Sequence, residues 1–72
     1  MISYKPLFHT LNKKKLVISN LREFGVHPTT IVSINKGESI KLEKIDSICN
    51  ILNVPINEVV EIILENKKDL DN

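Results

Sequence analysis

The side chains able to do chemistry in this 72-residue chain are few and scattered. His9, His27 and Cys49 fit no zinc-ligand spacing, and a fourth ligand is missing, so no metal site and no cofactor is expected. The acids fall singly along the second half of the chain rather than as a pair placed for acid–base work, and no glycine-rich loop could cradle a phosphate. Cys49 sits on an apolar stripe and reads as a small core residue; His27 reads as part of a turn. A chain this short buries only roughly 60% of its unfolded surface, which leaves little for the shielded cleft that catalysis needs. No enzyme is expected. What remains is the hydroxyl chemistry of Thr29, Thr30 and Ser33, with cations before and after it in the sequence.

The elements that must position those hydroxyls are unusually well punctuated. Gly25 stands where a left-handed residue ends a helix, Pro28 suits the first turn of the next, and Gly37 closes that one after about two turns. The run from Asn20 to Gly37 therefore predicts two short helices joined by a tight turn. Ile31 and Ile34 point one way, leaving Thr29, Thr30 and Ser33 for the opposite side. A slim helix projecting from a supporting helix can enter the major groove of B-DNA.

The rest of the chain supplies the support. Ile2-Ser3-Tyr4 alternates as an extended segment, and Lys5 before Pro6 is pushed away from helical geometry. Pro6 opens a first helix with Leu7, Phe8 and Leu11 on one face, fading at Asn12 into Lys13, Lys14 and Lys15. Leu16, Val17, Ile18, Leu21 and Phe24 suit a second short amphipathic helix. His27 ranks low as a helix cap before the third. Ser39 is the candidate cap of a fourth helix, along which Leu42, Ile45, Ile48, Cys49 and Leu52 recur at helical spacing. Asn53-Val54-Pro55 breaks that pattern. Asn57, with Glu58 and Glu61 behind it, predicts a capped fifth helix that buries Ile56, Val59, Val60 and Ile63. Ile62 and Leu64 flank that stripe. The β-branched pairs Val59-Val60 and Ile62-Ile63 also fit a strand, but the acids and the cap favour helix. A single domain over residues 1–66 with a frayed tail over 67–72 is expected.

The net charge of +1 hides an asymmetry. Residues 1–36 carry six cations against Glu23 alone, whereas residues 37–72 carry four lysines against eight acids. The hydroxyl-bearing helix lies in the basic half, and clustered cations are what drive phosphate binding through counterion release. Cys49 cannot form an internal disulfide, and neither a signal peptide nor a long apolar run is seen, so a cytoplasmic protein is expected.

These elements resemble the Cro/phage-repressor-type (XRE-like) helix-turn-helix family, and most closely its small stand-alone bacterial and phage regulators. Ile2-Ser3-Tyr4-Lys5-Pro6-Leu7 and Ile48-Cys49-Asn50-Ile51-Leu52-Asn53 match two of their motifs, with the turn between them. Only three residues, Arg22-Glu23-Phe24, separate Leu21 from Gly25, where that family usually has four. Arg22 also stands where it often has alanine. The resemblance implies an all-α, five-helix Cro/repressor-like domain acting as a sequence-specific, DNA-binding transcriptional regulator, most simply a repressor working by steric occlusion.

By the same resemblance, the recognition helix covers about residues 28–35, with Pro28, Thr29, Thr30 and Ser33 contacting bases. Threonine methyls can touch thymine methyls and hydroxyls can bond base edges. With neither Arg, Gln nor Asn on that face, specificity is expected to be modest or to lean on DNA shape. Asn35, Lys36 and Ser39 after this helix, and Lys13, Lys14 and Lys15 before the second, are the expected phosphate contacts. The implied partners are double-stranded DNA and a second copy in a homodimer, with Ile62, Leu64, and Tyr4 or Ile2 supplying apolar surface. No membrane and no small-molecule ligand is implied. The alternative is a protein-interaction module of phage or toxin–antitoxin type that keeps the fold without binding DNA.

Overall fold

In the computed structural model, which describes residues 1–65, the chain runs through three α-helices, two 3₁₀ segments and two short strands. Strand β1 (Ile2–Ser3) leads into α1 (Lys5–Lys13), a 3₁₀ helix (Ile18–Phe24), α2 (Pro28–Asn35) and α3 (Leu42–Leu52). A 3₁₀ turn (Ile56–Glu58) then delivers β2 (Glu61–Ile62), which lies antiparallel to β1 with Ile2 opposite Ile62 and Ser3 opposite Glu61. The tail over 67–72, expected to fray, lies outside the described residues.

The helix ends share one closure, in which a left-handed residue turns the chain and amides reach back to the last carbonyls. Gly25 (φ +102°) donates to the Arg22 carbonyl at 3.1 Å, and Val26 to that of Leu21 at 3.0 Å. Gly37 (φ +75°) donates to Ile34 at 3.0 Å, and Glu38 to Ser33 at 2.9 Å. Both glycines do what the sequence asks of them. Lys15 (φ +60°) and Asn53 (φ +58°) take the same conformation with a side chain attached. Leu16 closes the first of these onto Leu11 at 2.8 Å, and Val54 closes the second onto Cys49 at 3.0 Å.

One core unites the elements. Leu7 and Leu11 of α1, Leu21, Ile34 of α2, Ile48 of α3 and Val59 are the most completely buried side chains. Each is worth about 1.5–3 kcal/mol of burial. Phe8 departs from the sequence expectation. It lies 40% exposed, because α1 turns only its Leu7–Thr10–Leu11 stripe inward. Two buried polar groups tie separate elements together. The Tyr4 hydroxyl donates to the Glu38 carbonyl at 2.6 Å, and Thr10 Oγ1 donates to the Glu58 carbonyl at 2.7 Å.

Two expected helices take other forms. The second is a 3₁₀ helix, of which Leu21 alone is buried. Asn20 holds its start, its Oδ1 accepting from Val17 N–H at 2.9 Å. The fifth helix is replaced by one 3₁₀ turn and β2. Pro55, not Asn57, stands at the cap position, and no side chain caps it. The β-branched run beyond Val59 pairs with β1, whose unsatisfied backbone groups offer more than a short helix with a costly nucleus. Ile63 N–H extends the ribbon to the Met1 carbonyl at 2.8 Å.

Candidate nucleic-acid interface

The register of α2 decides which side chains can reach a ligand. Thr30, Ile31 and Ile34 are buried, so two rows at i, i+4 spacing face outward: Pro28–Val32–Lys36 and Thr29–Ser33. Pro28, Thr29, Asn35 and Lys36 are exposed and Ser33 is half-buried. The helix is eight residues long, or about 12 Å, short enough to lie within a major groove roughly 12 Å wide. No acid stands on its outward rows.

Thr30, expected among the base contacts, turns inward instead. It is 8% exposed and shares the row of Ile34, four residues on. Thr30 borders a cleft of about 410 Å³ with His27 and with Lys44 and Asn50 of α3. The helix start expected at His27–Pro28 is where α2 begins. His27 Nδ1 accepts from Thr29 N–H at 3.1 Å, so His27 caps α2 despite its low rank for the position. Ser39 caps nothing: the residue before α3 is Lys41, and it makes no side-chain cap.

The expected phosphate contacts divide into two groups. Asn35 and Lys36 border one groove together with Lys5 and Phe8 of α1. This brings a second cation, which the sequence reading leaves out, to the end of α2. Ser39 is exposed in the loop beyond. Lys14 and Lys15 are exposed at the corner between α1 and the 3₁₀ helix. Lys13, also exposed, borders a different cleft, beside Glu58 and Glu61. Among the described residues the ion pair found joins the Met1 amine to Glu65 at 3.3 Å.

Val32 is the other side chain missed. Half of its surface is exposed at the centre of the outward face, where a branched apolar group can meet a thymine methyl. The signal was present, since Ile31 and Ile34 facing inward force Val32 outward. Nothing local marks Lys5, which comes to line the same groove as Lys36 only in the folded chain.

The described residues gather no three His, Cys, Asp or Glu side chains able to hold a metal ion. Burial, and next the nearby Asp46 charge, push the Cys49 thiol up, making it a poorer nucleophile. No helix among the described residues is long and apolar enough to cross a membrane.

No family model matches this chain. No curated protein matches it either. Its structure, however, is similar to the crystal structure of the transcriptional regulator VanUg, with a TM-score of 0.82 and 29% sequence identity over 89% of this chain and 87% of that one. The chain accordingly has the fold of a helix-turn-helix transcriptional regulator and is not an enzyme.

Proposed function

We propose that this protein is a sequence-specific DNA-binding regulator that inserts α2 into the major groove and represses by occluding its site. The observation that carries this reading is the outward face of α2, free of acids, centred on Thr29, Val32 and Ser33 and ending at Lys36 beside Lys5. The likeness to a solved transcriptional regulator supports it. Pro28, Thr29, Val32 and Ser33 meet bases, with Thr30 supporting them from behind. Lys5, Asn35, Lys36 and Ser39 grip phosphate on one side, and Lys14 and Lys15 on the other, with Lys13 contributing charge at longer range.

An α2 of eight residues spans about three or four base pairs. Useful specificity therefore calls for two copies on half-sites about one helical turn apart.

Binding to duplex DNA from the gene's own upstream region, followed by fluorescence anisotropy across a salt series, tests the reading. Affinity is expected to fall steeply with salt. Lys36→Ala is expected to weaken binding to all sequences and reduce the log–log slope by about one. Thr29→Ala is expected to erode discrimination between fragments instead. The alternative, a protein-interaction module, gains support from the exposed Leu42 and Ile62. On that reading no fragment binds, and any apolar partner contact survives high salt.

A further inference from the structure

The turn that follows α2 is held from the far side of the molecule. The Tyr4 hydroxyl donates to the Glu38 carbonyl at 2.6 Å, across 34 residues of sequence. The Glu38 amide donates to the Ser33 carbonyl at 2.9 Å. Both backbone groups of Glu38 are therefore committed, one back to α2 and the other across to the start of α1. Loops are ordinarily the mobile part of a domain, so this bond fixes the chain where it would otherwise be free.

The donor is anchored independently of the turn. Tyr4, expected as apolar surface for pairing, is 4% exposed, with its ring in the core. Its own carbonyl accepts from Phe8 N–H at 3.2 Å, and its neighbour Ser3 pairs with Glu61 in the ribbon. Tyr4 also lines one groove with Lys5, Asn35, Lys36 and Gly37. The residue that grips the turn thus stands directly before one cation of the phosphate grip and shares a groove with the other.

We propose that Tyr4 is a positioning residue for DNA binding, its hydroxyl holding the Lys36–Ser39 turn in place beside Lys5 before DNA arrives. The assignment rests on the DNA-binding reading and adds to it a residue that touches no DNA. A turn ordered in advance forfeits less freedom when it closes on phosphate. Phosphate contacts set position and affinity, whereas base contacts set sequence preference. Removing the hydroxyl should therefore weaken binding to every sequence alike and leave unchanged the discrimination that Thr29, Val32 and Ser33 supply.

Thr10 provides the comparison. Its Oγ1 donates to the Glu58 carbonyl at 2.7 Å, a bond of the same kind, made at the 3₁₀ turn instead of after α2. Fluorescence anisotropy with upstream duplex DNA compares wild type, Tyr4→Phe and Thr10→Val, with circular dichroism checking that each stays folded. Tyr4→Phe should weaken binding about three- to tenfold on every fragment, and Thr10→Val by less than about twofold. In a chain already carrying Lys36→Ala, the further loss from Tyr4→Phe should shrink, because both act through one contact. Amide hydrogen exchange without DNA should quicken at Gly37 and Glu38 in Tyr4→Phe and stay unchanged there in Thr10→Val. Wild-type binding that Tyr4→Phe leaves intact, equal losses in both backgrounds, or unchanged exchange at Glu38 would each overturn this role alone. A wild-type chain that binds no DNA overturns the DNA reading, and the role in binding with it.

Discussion

Gly25 and Lys15 occupy equivalent positions at two helix ends, and they differ only in what the left-handed conformation costs. An alanine Cβ at Gly25 would meet no atom within 4 Å, so the penalty for Gly25→Ala is conformational, about 1–2 kcal/mol. For a domain of this size that lowers the melting temperature by roughly 5–10 °C. Lys15→Gly should act the other way, by about 0.5–1 kcal/mol, because it relieves a strained φ while loosening the unfolded chain. Thermal melts of the two variants check both signs; equal and negligible shifts would contradict the shared closure. Gly25 and Gly37 were legible in the sequence because a glycine after an apolar stripe has a local meaning. Lys15 and His27 were not, because packing and a single side-chain hydrogen bond overrode the usual preferences. Thr30 shares the phase of Ile34 and so faces inward despite its hydroxyl.

Among the elements, α1, α2 and α3 follow from apolar spacing alone, but the last segment does not. Whether Val59 to Ile63 forms helix or strand depends on β1, nearly sixty residues earlier in sequence, and no local pattern records that partner. The ribbon also sets the position of Tyr4, whose hydroxyl spans from β1 to the loop between α2 and α3 through the Glu38 carbonyl. Burial raises the pKa of this phenol above its ordinary range, and the Ile40 backbone offsets the effect only in part. The folded chain therefore holds the phenolic proton more tightly than the unfolded one. Its contribution to stability is complete below about pH 10 and is lost as pH rises beyond that. Tyr4→Phe should cost about 1 kcal/mol at neutral pH and flatten the alkaline decline. Urea unfolding at pH 7.5 and above pH 10 measures both; an unchanged alkaline slope in the variant would place its origin elsewhere.

At the scale of the whole molecule, the uneven charge of the sequence becomes a division of surfaces. The basic first half contributes α2 and its neighbouring lysines, whereas the second half carries eight of the nine acids and the exposed Leu42 and Ile62. The central claim is that the outward rows of α2 read DNA, and amide mapping by ¹⁵N NMR during titration with duplex DNA tests it most directly. Signals from Thr29, Val32, Ser33 and Lys36 should shift first and furthest with an upstream fragment that binds tightly, with those of Lys14 and Lys15 following. Shifts confined to residues outside α2, or an α2 face unmoved while DNA is bound, would contradict the claim.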